Sequence, residues 1–272
     1  MSMFGQMYAG LYDQWYREKD YAREVQAVLA FVSAHSADSA ASADSAPGVN
    51  TGISDSVVGG EFTVLDLGCG TGRHLENFVE AGLICRGYEP SPAMAALARE
   101  RLGPKCAITT DAADLGAGRF DVVTALFDVL SYQTTLLGAR EFLSLGARSL
   151  RSGGLLVVDA WHLPGVVRDP PGISEGYLDL ADGSRVSRRA TSVFDPVEGI
   201  ATIDYQLTVT TEDGIAAVGH ECHRMRCFTV GELSLLAESV GLVPLEFRAA
   251  PSMSHQVTGD DWHVAMLARR GS

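Results

Sequence analysis

The chain has 272 residues, 46% of them hydrophobic, and a formal net charge of −13 at neutral pH. That length and apolar content fit one large domain, or one domain with a sizeable insert, around a full core. So acidic a balance argues against duplex nucleic acid and anionic membrane surfaces as partners, since both need a basic face to meet phosphate. No apolar run reaches the length of a membrane span and the N-terminus carries no signal-peptide pattern, so a cytoplasmic protein is expected. The five cysteines, Cys69, Cys85, Cys106, Cys222 and Cys227, are odd in number and lack C-x-x-C spacing, which fits a reduced compartment without structural zinc. Lys19 and Lys105 are the only lysines among 21 basic residues, a bias associated with GC-rich bacterial genomes.

Residues 7 to about 31 carry apolar and aromatic side chains at helical spacing, and Tyr8, Tyr12 and Tyr16 would share one helix face, which by spacing alone reads as a core stripe. Residues 33–60 turn to Ala, Ser, Asp and Gly with almost no large apolar side chain, which predicts a flexible linker. From Phe62 the pattern becomes regular α/β. Val64, Leu65 and Leu67 give the apolar run of a buried parallel strand, and Gly68, Gly70 and Gly72 follow as a tight turn into a helix. Such a helix points its N–H groups and positive dipole end at whatever the turn holds. A dinucleotide fingerprint would place its third glycine at Arg73, and no P-loop motif occurs, so both of those crevices are excluded. Strands are expected at 62–67, 83–88, 106–110, 120–127 and 154–161, with helices at about 73–81, 91–101 and 137–150. This alternation implies a parallel sheet, and Gly153-Gly154 reads as the cap closing the last of these helices. After Trp161 the rhythm changes to alternating runs over 176–226, with Asp182-Gly183 and Asp213-Gly214 as hairpin turns of a small inserted antiparallel sheet. Phe228 to Gly241 returns to a helix opened by Thr229 and Glu232 in capping-box spacing, and 242–248 with 261–268 read as a terminal strand pair.

Glu89 ends the second strand, where a carboxylate can accept both hydroxyls of a ribose. The run Asp66-x-Gly68-x-Gly70-x-Gly72 resembles the glycine-rich loop of class I S-adenosylmethionine-dependent methyltransferases. The resemblance implies a Rossmann-like methyltransferase fold, a mostly parallel seven-stranded sheet with an inserted small antiparallel sheet and an N-terminal helical lid. It implies that Asp66, Gly68, Gly70 and Gly72 wrap the methionine part of S-adenosylmethionine, and that Glu89, with Pro90 and Met94 at the following helix start, serves the ribose. Asp111 would accept from the adenine amino group, with the backbone of Ala112 beside the ring and Asp114 as a helix cap. Phe127 and Tyr132, after the fourth strand, would line the crossover of cofactor and substrate, or else belong to the core. Tyr12-Asp13-x-x-Tyr16, Lys19-Asp20-Tyr21, Trp161-His162-x-Pro164 and His220-Glu221-x-His223-x-Met225-x-x-Phe228 are similar to small-molecule N-methyltransferases of antibiotic biosynthesis. The amino-sugar N,N-dimethyltransferases are among them. In those enzymes the N-terminal helix closes over the transfer site, which assigns Tyr16 and Tyr8 to it. Asp128 and the Ser252–Gln256 segment depart from the sugar-enzyme pattern.

The expected organisation is a helical lid at 1–32, a linker at 33–60, a cofactor-binding domain at 61–162 and 227–272, and a substrate-cap sheet at 163–226. The expected reaction is methylation of an amine on a small antibiotic intermediate, of amino-sugar or lincosamide type. An amine needs orientation and desolvation more than a strong base, whereas a hydroxyl acceptor needs a base within hydrogen-bond reach. His162, His220, His223, His255 and His263 are the candidates for an O-methyl alternative, and spacing pairs none of them with a carboxylate. A non-catalytic cofactor-binding module is the remaining alternative. His220, Cys222 and His223 are too bunched on one strand to converge on a metal, so none is expected. Arg185, Arg188, Arg189, Arg224 and Arg226 either hold an anionic group or lie solvated on their strands. The oligomeric state is left open.

Overall fold

The computed structural model describes residues 6–36 and 62–271. The linker expected at 33–60 falls almost wholly outside them, apart from a last helical turn to Ser36. Two helices, α1 (Gln6–Trp15) and α2 (Tyr21–Ser36), precede the sheet. The expected single helix is thus broken at residues 16–20, where Asp20 Oδ1 accepts from Arg23 N at 2.9 Å and caps the start of α2. Then follow β1 (Thr63–Leu67), α3 (Arg73–Glu80), β2 (Ile84–Tyr88), α4 (Pro92–Leu102), β3 (Ala107–Thr109), β4 (Phe120–Ala125), α5 (Leu136–Ser149) and β5 (Leu150–His162). A short α6 (Leu163–Arg168) leads into β6 (Ile173–Asp179), β7 (Arg185–Asp195), β8 (Ile200–Thr211) and β9 (Gly214–Phe228). The chain ends with α7 (Val230–Glu238), β10 (Leu242–Ala249) and β11 (His263–Arg270).

The inner sheet runs β3-β2-β1-β4-β5-β11-β10, parallel through β5 and antiparallel at β11 and β10. Burial on both faces explains the continuous apolar runs of its central strands. Alternate residues feed separate layers. Leu65, Leu67, Val123 and Leu156 join Leu143 and Leu233 from α5 and α7, while Val64, Val122, Leu155 and Val157 join Leu75 and Phe78 from α3. Val25, Val28 and Val32 of α2 belong to that second layer, so α2 is a core helix beside α3. Of the expected lid, Tyr12 of α1, Tyr16 and Tyr21 at the start of α2 border the crevice.

The insert is an antiparallel meander, β6-β7-β8-β9, whose last strand runs parallel to the tip of β5 through Trp161–Cys227 and His162–Phe228. Besides the two expected hairpin turns it contains a third at residues 196–199. Gly153-Gly154 caps no helix. Helix α5 ends at Ser149 and both glycines lie within β5, with Gly153 at φ 75°. The capping box on α7 forms as spaced, with Thr229 Oγ1 accepting from Glu232 N at 3.1 Å and Thr229 N donating to Glu232 Oε2 at 2.8 Å.

Candidate functional site

Strand β1 leaves the sheet at Leu67 and enters a turn with Gly68, Gly70 and Gly72 at φ 74°, 56° and 82°. Gly68 N and Cys69 N both donate to Tyr88 O, which folds the turn back over the end of β2. A Cβ on Gly68 would stand 2.4 Å from Val129 Cγ1, so this position admits no side chain. A Cβ on Gly70 meets nothing within 4 Å, and Gly70 lines the cavity described below. Gly72 serves helix packing, since its Cβ would come 3.0 Å from Leu102 Cδ1 on α4.

Glu89 is 6% exposed, and its two carboxylate oxygens already hold the loop in place. Oε2 accepts from Gly70 N at 2.9 Å and Oε1 accepts from Ser91 N at 2.8 Å. Burial pushes its pKa up, against the lowering by these two backbone donors. Asp66 lies beneath the loop, where it accepts from Thr124 Oγ1 at 2.8 Å and burial raises its pKa to about 6. Asp111 caps the short turn after β3, accepting from Ala113 N at 2.9 Å, while Asp114 accepts from Thr109 Oγ1 at 2.7 Å. The capping role expected of Asp114 therefore falls to Asp111.

A cavity of about 580 Å³ opens between the glycine loop, residues 12–21 and the inner ends of β8 and β9. Of the expected site residues, Tyr16, Gly68, Gly70, Glu89, Pro90, Met94, Phe127 and Tyr132 line it. Asp66, Gly72, Asp111 and Ala112 are not among its lining residues, and the Tyr8 side chain lies outside the described residues. The Tyr16 ring sits edge-on to Phe127, with centroids 5.1 Å apart, and 4.8 Å from Tyr12. Tyr132 bonds His223 Nδ1 through its hydroxyl at 2.9 Å, and burial raises the tyrosine far above its ordinary range. His223 is lowered to about 4 by burial and by the nearby Arg188.

Phe127 and Asp128 form the sharpest local geometry. Both are non-glycine residues in the left-handed region, at φ 67° and 62°. The buried carboxylate of Asp159 accepts from Phe127 N at 3.0 Å and from Asp128 N at 2.7 Å, which fixes this turn. The turned Asp128 bonds His263 Nδ1 at 2.9 Å. Burial and the neighbouring Asp128 carboxylate push the Asp159 pKa up, against the lowering by the two backbone donors. His263 is raised above the ordinary imidazole value, its carboxylate partners outweighing burial. Spacing did not reveal this pair, because its members are 135 residues apart. The sequence did carry a flag, an aspartate inside the apolar run of β5.

A second set of polar contacts fastens the N-terminal segment over the loop. Thr71 Oγ1 donates to Asp13 Oδ1 at 2.6 Å, and Arg101 also pairs with Asp13. His74 Nε2 bonds Glu24 Oε2 at 2.8 Å, and Lys19 pairs with the other oxygen of Glu24 while lying 4.4 Å from the Phe127 ring centre. On the opposite side Arg188 lies over the rings of Trp15 and Tyr205, at 4.5 and 5.3 Å. Arg185 and Arg189 are exposed and pair with Asp179 and Glu175, and Arg226 pairs with Glu232. His162 is buried against the Asp261 carbonyl, while His255 pairs with Asp261 on the surface.

The cradle fits S-adenosylmethionine. The loop leaves room at Gly70 where a side chain would stand, an acid closes the end of β2, and the cavity continues past Phe127 toward an aromatic wall. Among the described residues no helix is long and apolar enough to cross a membrane.

Residues 64–154 match the family described as methyltransferase domain. A dTDP-4-amino-2,3,4,6-tetradeoxy-D-glucose N,N-dimethyltransferase of Saccharopolyspora spinosa is 30% identical over 191 residues, 70% of this chain and 75% of that one. A dTDP-3-amino-3,4,6-trideoxy-alpha-D-glucopyranose N,N-dimethyltransferase of Streptomyces venezuelae is 28% identical over 250 residues, covering 90% and 94% of the two chains. Among solved structures, a sugar N-methyltransferase from Streptoalloteichus superposes with a TM-score of 0.73 at 23% identity, covering 96% of this chain and 93% of that one. Glycine loop, strand order and relatives agree: the chain belongs to the class I S-adenosylmethionine-dependent methyltransferases, and within them it is related to the sugar N,N-dimethyltransferases.

Proposed function

We propose that this methyltransferase acts on the amino group of a nucleotide-linked amino sugar. The observation that carries the reading is the shape of the cavity. One end is glycine backbone and Glu89, and the other is walled by Tyr16, Phe127, Tyr132 and Tyr205 from three separate parts of the chain. Likeness to amino-sugar N,N-dimethyltransferases over nine-tenths of the chain supports the acceptor class.

When bound, S-adenosylmethionine supplies a methyl carbon that is already electrophilic. In this reading the backbone of Gly68, Cys69 and Gly70 holds its methionine part, and Glu89 takes the ribose hydroxyls on its remaining lone pairs. Asp111 and Ala112 would reach the adenine from just beyond the cavity wall. The protein's remaining work is to strip water from the acceptor nitrogen and aim its lone pair. Orientation of that kind is worth about 7–11 kcal/mol. Phe127 and Tyr132 exclude water, and the Tyr16 hydroxyl accepts from the acceptor's N–H. Helix α1 with residues 16–20 acts as the lid and the β6–β9 meander as the substrate cap.

A hydroxyl acceptor is the second reading, because the carboxylate-held His263 supplies a base that spacing alone did not reveal. Incubation with methyl-labelled cofactor and matched panels of dTDP-amino sugars and their hydroxy counterparts separates the two. Label on nitrogen is expected. Label confined to oxygen sinks the amine reading.

A further inference from the structure

From the arrangement of Asp128, Asp159 and His263 we infer that His263 removes the proton from the acceptor's ammonium nitrogen, inside the cavity, before methyl transfer. The inference rests on the amine reading above. His263 is the first residue of β11 and pairs with Trp161 at the tip of β5, so the sheet fixes its backbone beside the cavity. Trp262 lies beside it at a tilt, with ring centres 5.9 Å apart, and Trp161 is 5.0 Å from Trp262. A carboxylate can only accept, so the 2.9 Å contact to Asp128 requires the proton on Nδ1 and leaves Nε2 as the basic nitrogen. No hydrogen bond to Nε2 occurs among the described residues, and His263 lines the cavity together with Phe127 and Tyr16.

The charged groups that face this imidazole come from three directions. Asp128 arrives from the turn after β4, Asp159 from within β5 and Lys19 from the N-terminal segment. Both acids stabilise an imidazolium, whereas Lys19 opposes it and is itself paired with Glu24. The two neighbouring carboxylates raise the basicity of the His263 imidazole, which favours its taking a proton from an ammonium. The same two carboxylates form an acidic corner that favours an acceptor arriving as a cation. Under ordinary conditions an amine does arrive so, since an amino group of pKa near 8 is only about one-tenth free at pH 7.

The transfer balances simply. The N–H bond of the ammonium breaks, its electron pair stays on nitrogen as the lone pair, and the proton forms an Nε2–H bond. The positive charge moves from the acceptor to the ring, where Asp128 faces it, and the proton is returned to water before the next cycle. Nothing beyond solvent is consumed. The left-handed turn at Phe127 and Asp128 also gains a purpose, because it is what points the Asp128 carboxylate at the imidazole.

The test uses the full chain with a dTDP-3-amino sugar as probe, following methyl transfer between about pH 6 and pH 9.5. His263→Asn should lower kcat/KM roughly tenfold at pH 7, the deficit of free amine in solution, with cofactor affinity by calorimetry unchanged. Raising the pH should restore the variant to within about twofold of wild type by about pH 9, since solvent then performs the deprotonation. A structural role, or a base serving a hydroxyl, would give a loss that pH does not repair. An unchanged rate at pH 7 or an unrepaired loss overturns the proposal while the amine reading stands. Absence of transfer to any amine by the wild-type protein overturns the amine reading and this inference with it. NMR titration of the histidine rings needs no histidine variant: His263 should titrate above about 6.5 in wild type and lower in Asp128→Asn. An ordinary value that ignores the Asp128 change removes the relay.

Discussion

Gly70 is where a single added carbon atom has the clearest consequence. Its φ of 56° already disfavours any side chain, and the space beyond it belongs to the cavity. Gly70→Val should therefore destroy S-adenosylmethionine affinity in calorimetry while far-UV circular dichroism still reports a folded chain. Retained affinity would mean that the methionine part lies elsewhere. Tyr16 offers the complementary case. Its ring is held by Tyr12 and Phe127, and these contacts survive removal of the hydroxyl. Tyr16→Phe should lower kcat/KM at near-normal melting temperature and cofactor affinity. Lost stability with normal turnover would instead mark Tyr16 as a packing residue. Glu89 was legible as an acid at a strand tip, but its hold on Gly70 N and Ser91 N was not. Those bonds depend on how the loop folds back, and spacing carries no record of that.

Among elements, α2 shows how a helix that precedes the sheet is tied into it. Its apolar face packs beside α3, and Glu24 adds bonds to His74 and Lys19. Burial alone would raise the Glu24 pKa, yet the His74 and Lys19 bonds outweigh it and leave the group lowered. A folded value below the unfolded one means that the stabilisation is present above the ordinary glutamate pKa of about 4.3. It is lost as pH falls through the folded value. Protection factors of α2 amides, taken relative to intrinsic exchange at each pH, should fall on acidification through that window, and Glu24→Gln should abolish this pH dependence. The same variant should cost about 1.5–3 kcal/mol at neutral pH. An unchanged acid response in Glu24→Gln would place the titrating group elsewhere. The inner strands and helices were readable to within a few residues because apolar alternation and glycine turns are local signals. Residues 196–199 close a hairpin without an Asn-Gly or Asp-Gly pair, and the break at 16–20 interrupts a pattern that stays apolar on both sides. At both places tertiary packing decided what periodicity left ambiguous.

At the scale of the whole molecule, the cavity is walled by the N-terminal segment, the glycine loop, the turn after β4, the inserted meander and β11 together. A ligand that fills it therefore bridges elements that come from distant parts of the chain. Cofactor at about a hundred times its Kd should add roughly 2.7 kcal/mol, which for a chain of this size raises Tm by about 5–10 °C. A shift under a degree at saturation would mean that the folded protein does not close on the cofactor. This assembly from distant segments is also why the sequence disclosed the glycine-loop side of the cavity better than its far side. Gly68 to Glu89 lie within one βαβ unit, whereas Asp128, His223 and His263 meet only through pairing of β5 with β9 and β11.

The fastening of the N-terminal segment bears on the order in which molecules leave. Its bonds to Thr71, Arg101 and His74 all lie on the glycine-loop side. Toward the meander it makes apolar contacts, with Val186 and Leu207, and the face of Trp15 against Arg188. In the proposed function the meander side is the acceptor's, so the product leaves without breaking the bonds to Thr71, Arg101 and His74, ahead of the spent donor. An acceptor that takes two methyl groups would then leave and return between rounds, making the enzyme distributive. Free monomethylated product should accumulate before the dimethylated form, and a pulse–chase with unlabelled acceptor should divert the second methylation.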